Sequence, residues 1–171
     1  MASGNVDRGH RTFISYIDRT RELYQAQGYP KPYQWAYFDE VPFRPLPVAL
    51  SECRLTLITT ASPIREESTS QAGLPMAKEV SSGPTASPPE RLYTADLAWD
   101  KETTHTDDLD SFFPIHRLQE LVDAGRIGSL AARYHGAPTE YSQRRTMEQD
   151  APEILRRCRE DGVEAALLVP L

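Results

Sequence analysis

Apolar side chains recur along this chain at two periods, and the places where the period changes mark its elements. Phe13, Ile14, Ile17, Leu23 and Tyr24 fall at helical spacing among Arg, Asp, Glu and Gln, and Gly28 followed by Pro30 provides a stop. This predicts an amphipathic helix within residues 1–29. Residues 54–60 hold Leu55, Leu57 and Ile58 among three threonines, the short and nearly continuous apolar run of a buried parallel strand. Residues 92–99 suggest a second strand. Ile115, Leu118, Leu121 and Val122 form one stripe, opened by Pro114, where a missing donor costs nothing, and closed by Gly125. Residues 127–132 read as a strand. Met147, Ala151, Ile154, Leu155 and Cys158 share one face of a helix ending at Gly162, with Pro152 either starting its main part or kinking it. Residues 165–169 are the next strand.

Strand, helix and strand with short connections make a right-handed βαβ unit. The fold class expected is therefore α/β, a three-layer, Rossmann-like arrangement around a mostly parallel sheet. Ten of the fourteen prolines lie in residues 30–89, so regular structure is expected to flank that stretch. Residues 30–50 carry Tyr33, Trp35, Tyr37, Phe38 and Phe43 between prolines, which suits an extended arm laying rings over a neighbouring surface. Residues 61–90 are rich in Ser, Pro, Gly, Thr and Glu, and read as a loop that is either mobile or an active-site cover. No internal repeat is visible, and all 171 residues are expected to form a single α/β domain.

Composition narrows the function classes. A net charge of −6 disfavours a phosphate backbone as partner, so no nucleic acid is expected. No apolar run approaches the roughly 18 residues of a membrane span, and no apolar stretch follows Met1, which points to a cytoplasmic protein without a membrane partner. Cys53 and Cys158 are too few and too far apart for a disulfide framework or a zinc cage. Both are expected to be reduced and structural, Cys158 as a small apolar side chain on its helix. The sequence contains no Gly-x-Gly-x-x-Gly, Walker-type loop, Cys-x-x-Cys or Gly-x-Ser-x-Gly, which removes the usual support for nucleotide-cofactor and serine-hydrolase chemistry.

In an open parallel sheet the ligand lies outside the carboxyl ends of the strands, so the residues after each strand are the candidates. Thr59 and Thr60 follow the first, and Arg133, Tyr134 and His135 precede Gly136 after another. His135 is the foremost catalytic candidate, as a proton carrier or as the group that orients a carboxylate; a solvent-facing loop histidine is the plain alternative. His105, Asp107, Asp108 and Asp110 place an imidazole and three carboxylates within six residues. The spacing and glycine of a calcium loop are missing, so no metal is assigned. Capping of the helix near Pro114 and polar contacts at the crevice are the expected uses, with Asp107 and Asp108 among the substrate-binding candidates. Arg144 and Arg145 read first as solvated helix surface; near a helix start, either is also suited to meet an anionic substrate, and Arg144 is kept as a substrate-binding candidate.

Four stretches taken together resemble the selenoprotein B family: DDLDSFFPIHRL at 107–118, GRIGSLA at 125–131, APEI at 151–154 and EDGVEAALL at 160–168. The similarity is strongest over residues 91–171, with a weaker echo at 55–61. This family comprises subunits of the glycine, sarcosine, betaine and D-proline reductases, together with shorter homologues. The resemblance implies an oxidoreductase subunit that reductively cleaves a small amine or related substrate, with a disulfide as acceptor.

It also implies a selenocysteine or cysteine pair directly after the strand at 165–169, with no other cofactor. His135 and His105 would then be supporting neighbours able to move protons. The implied partners are a small-molecule substrate and a redox protein, either thioredoxin-like or a small selenoprotein. Leu171 stands one residue before the implied nucleophile, so none of the 171 residues is assigned that role. The expectation is a sheet incomplete at the C-terminus and a reading frame closed at a UGA that encodes selenocysteine. A non-catalytic binding or assembly subunit, docking its open sheet edge on another chain, or a truncated inactive fragment, is the alternative from a different class, and a homo-oligomer stands among the expected partners. A metal-dependent hydrolase built on His105 and the aspartates ranks third.

Overall fold

The computed structural model describes residues 15–32, 36–65, 74–75, 78–94, 102–139 and 142–171. The expectations for Phe13, Ile14, Tyr33, Trp35 and residues 95–99 fall outside these. Two compact units divide the chain, Met1–Pro42 and Phe43–Leu171.

In the first unit, α1 (Tyr16–Ala26) is capped by Ser15, whose hydroxyl accepts from the Asp18 N–H at 3.2 Å. Tyr24 and Tyr29 meet edge to face with centroids 5.3 Å apart. None of the α1 side chains is buried. Tyr37 and Phe38, from the proline-rich stretch, are exposed.

The second unit is organised around β1 (Arg54–Thr59). On one side β5 (Ser129–Leu130) runs parallel opposite Arg54 and Leu55, and β6 (Arg133–Gly136) runs parallel opposite Ile58 and Thr59. On the other side β7 (Ala165–Val169) runs parallel over five residue pairs, from Leu55 with Ala165 to Thr59 with Val169. Outside β6, β4 (Ser81–Pro84) pairs antiparallel, completing a mixed, mostly parallel five-stranded sheet. With its helices this is an α/β fold. The short strands β2 (Ile64–Arg65) and β3 (Leu74–Pro75) form a separate antiparallel pair.

Two details differ from the sequence reading. The stretch expected as a loop contributes β4, because Gly83 lets the strand lie against Tyr134: a Cβ there would stand 2.4 Å from the phenol oxygen. The strand expected at 127–132 pairs only at 129–130 and resumes at 133–136. Apolarity there reports burial, since Ile127 and Ala131 fill the core, while the polar Arg133, Tyr134 and His135 carry the later pairing.

Between strands lie α2 (Ile115–Asp123), the single turn α3 (Gln143–Arg145), a π-turn at Thr146–Asp150 and α4 (Ala151–Glu160). Pro152 occupies the first turn of α4, where its missing N–H is harmless. Gly125 at φ 67° and Gly162 at φ 64° follow α2 and α4, adopting the left-handed conformation that stops a helix. Alternation along β1 sends its side chains to different helices. Leu55 and Leu57 join Phe112, Phe113, Ile115 and Leu118 in the core. Each such side chain, fully buried, is worth about 1.5–3 kcal/mol. Ile58 instead lines a cavity with Ile154 and Leu155 of α4 and with Ala166 and Leu168 of β7. Among the described residues no helix is long and apolar enough to cross a membrane.

Candidate functional site

Register brings the carboxyl ends of three parallel strands side by side, with Thr59 between Gly136 of β6 and Val169 of β7. The chain just beyond each strand is held by short polar links. The Leu171 N–H donates to the Thr60 hydroxyl at 2.8 Å, and Thr139 Oγ1 donates to the Thr60 carbonyl at 3.1 Å. The Ala137 N–H donates to the Thr59 carbonyl at 2.8 Å. Thr59 itself is buried, and its hydroxyl accepts from the Ala61 N–H at 3.1 Å. A rim of hydroxyls and peptide groups results, suited to hold a polar ligand by hydrogen bonds while leaving the charge chemistry to other groups.

His135 lies one register position inside this rim, opposite Ile58. It is in a strand and fully buried, so it is not a solvent-facing loop residue. Its Nδ1 is 2.8 Å from the Ser82 hydroxyl, which also accepts from Arg157 Nη1 at 2.8 Å. Arg157 Nε donates to Glu153 at 2.7 Å, so a polar chain runs from α4 through β4 to the imidazole. The Nε2 atom has no hydrogen-bond partner among the described residues. Burial, reinforced by the positive charge of Arg133, pushes the His135 pKa below its usual value and favours the neutral ring.

Sequence neighbours of His135 serve elsewhere. Arg133 makes a bidentate pair with Asp161, through Nε at 2.8 Å and Nη2 at 3.1 Å, and reaches Glu160 at 3.3 Å. That pair raises the guanidinium pKa and lowers that of Asp161. Tyr134 points into the core, edge-on to Phe113 with centroids 4.8 Å apart, and burial raises its pKa. Arg144 is exposed on α3 and pairs with Glu148 at 3.4 Å.

The acidic stretch works on local structure. Asp108 accepts from the Asp110 N–H at 3.1 Å and caps a short 3-10 turn. Asp110 accepts from the backbone N–H of His116 at 2.9 Å and stands 2.9 Å from its Nδ1, capping α2 where Pro114 has no side-chain acceptor. Asp107 and His105 are exposed, 3.4 Å apart. No group of three or more His, Cys, Asp or Glu able to hold a metal occurs among the described residues. Both cysteines are buried, and burial raises both thiol pKa values.

One feature of the site escapes sequence reasoning. A cavity of about 380 Å³ lies between α4 and β7, and its upper wall is the π-turn, with Thr146 and the buried Asp150. Arg145 Nε stands 3.9 Å from Asp150 Oδ1, an ion pair longer than a hydrogen bond. An aspartate just ahead of Ala151 and Pro152 signals a helix start; the π-turn that turns it inward has no such signature. Comparison with family models, with curated proteins and with solved structures finds nothing that matches this chain.

Proposed function

We propose that the chain is a selenoprotein B-like oxidoreductase subunit acting on a small amine or related substrate, with a redox protein as electron donor. One observation carries the reading: β1, β6 and β7 are parallel, and their carboxyl ends converge at Thr59, Ala137 and Leu171. Ligands of open parallel sheets bind at such an edge. The four stretches that resemble the family supply the chemistry. On this reading a selenocysteine or cysteine follows Leu171 in the encoded protein, at the end of a strand facing the crevice. The start of a following helix lowers the pKa of such a group.

The step balances as a two-electron reduction of the substrate. The chalcogenolate attacks the carbon bearing nitrogen, the carbon–nitrogen bond breaks, and the leaving amine takes a proton. A thiolate then attacks the chalcogen of the adduct, the carbon fragment leaves with the bonding pair and takes a proton, and the selenenylsulfide or disulfide that remains is reduced by the partner protein. The Thr60 and Thr139 hydroxyls orient the substrate, and His135 acts on protons from beneath the rim. A three-layer, Rossmann-like sheet continuing past β7 belongs to the same proposal.

The codons after Leu171 test it. A cysteine codon or a UGA read as selenocysteine, followed by an open frame with a nearby cysteine, is expected; any other codon there overturns the reading. The purified 171-residue chain is expected to lack thiol-dependent reductive cleavage, and such activity would refute a nucleophile placed beyond Leu171. A second reading, a non-catalytic assembly subunit, is favoured by the exposure of Leu167 and Leu168 on β7.

A further inference from the structure

Along the outer side of α4 the apolar positions do not end where burial ends. Asp150, Ile154 and Cys158 form the buried line of the helix. One residue further on, Met147, Ala151 and Leu155 repeat every fourth position and face outward, Met147 at 61% exposure and Leu155 at 49%. Beside them Leu168 of β7 is 68% exposed across the mouth of the cavity. Scattered exposed apolar residues are ordinary, but a continuous stripe beside an apolar groove is the usual mark of a contact surface.

Charge at the two ends of this stripe is of opposite sign. Glu148 stands at the amino end, and its described ion pair, with Arg144 at 3.4 Å, is exposed. Arg159 stands at the carboxyl end, four residues beyond Leu155, and makes no ion pair among the described residues. An acid at one end and a base at the other make the stripe complementary to itself when a second copy runs antiparallel. A two-fold axis perpendicular to the helix gives that arrangement, because each surface then meets its own reverse.

We propose that two copies of this chain associate through the outer side of α4. In this dimer Leu155 enters the groove between the partner's α4 and β7, and each Glu148 faces Arg159 of the other copy. The helices cross antiparallel beside Leu155. Covering Met147, Leu155 and Leu168 removes from water the large apolar side chains left exposed along α4 and β7 here. The proposal rests on neither chemical reading, since a dimer is compatible with a redox subunit and with an assembly subunit alike.

Sedimentation velocity on the full 171-residue chain, over roughly two decades of protein concentration, tests the proposal. The mass is expected to rise from that of one chain to that of two, and L155E is expected to remain one chain throughout while keeping its helical circular dichroism. Each of E148R and R159E sets like charges against each other at two symmetric places and is expected to weaken association about ten-fold. The double variant E148R/R159E is expected to recover most of that loss. A single-chain mass at every concentration overturns the proposal. So does a dimer unchanged by L155E, an assembly larger than two, or a double variant no better than either single one.

Discussion

His135 is a fully buried imidazole tied to Ser82, and its proton carries the clearest consequence for stability at the scale of single residues. Its pKa is lowered by burial, so between the folded and unfolded values the unfolded chain holds a proton that the folded chain does not. Stability is therefore complete above about pH 6.5 and falls as pH drops through that value toward the folded one. Urea denaturation from pH 7.5 to 5 is expected to show this slope, and H135N to flatten it; equal slopes in the two proteins would exclude His135 as its source. Gly128 makes a different demand. A Cβ there would stand 2.4 Å from the backbone carbon of Glu52, and backbone cannot swing aside as a side-chain tip can. Gly128→Ala is expected to cost about 1–3 kcal/mol or more, read as a drop in Tm. Residue identity revealed that a histidine, two threonines and a glycine stand near strand ends. It did not reveal that the histidine lies under a helix, because exposure depends on chain brought from elsewhere: Ser82 and Arg157 are 53 and 75 residues away from their partners in this network.

Among elements, α2 shows how a helix start is completed from a distance. Pro114 has no side chain to accept the first free N–H groups, and Asp110 supplies the carboxylate six residues before His116. D110A is expected to lower stability by about 1 kcal/mol, measured by urea denaturation, while D107A, at an exposed position, leaves it within about 0.5 kcal/mol. Equal effects would mean that the cap contributes nothing. Helices were the most legible elements, because Pro114, Gly125, Pro152 and Gly162 punctuate them and their apolar stripes repeat at 3.6 residues. Of the strands, residues 165–169 stand where the pattern predicts them, whereas β6 occupies residues expected to form the loop after a strand at 127–132 and β4 lies inside another expected loop. Both misplaced strands are polar or small, and their pairing energy comes from backbone bonds to a neighbour that no local pattern announces.

For the molecule as a whole, every buried apolar residue of the core among the described residues falls within Phe43–Leu171. A chain of residues 43–171 is therefore expected to unfold in one cooperative transition by circular dichroism; loss of cooperativity would place part of the core before residue 43. The candidate site shows how far pattern and fold each reach. Apolar periodicity and glycine and proline punctuation are local, so helix limits, the buried first strand, the last strand and the α/β class could all be read along the chain. The rule that ligands lie at strand carboxyl ends then pointed to Thr59 and Thr60 before any contact was known. Which residues meet there is a matter of register and of what packs over each face. Register is set by pairs of backbone groups as far apart as Thr59 and Val169. Those contacts withdraw Arg133 to Asp161, sink Tyr134 into the core and turn Asp150 toward a cavity. A side chain's role follows from its neighbours in space, and these were chosen by the folded chain.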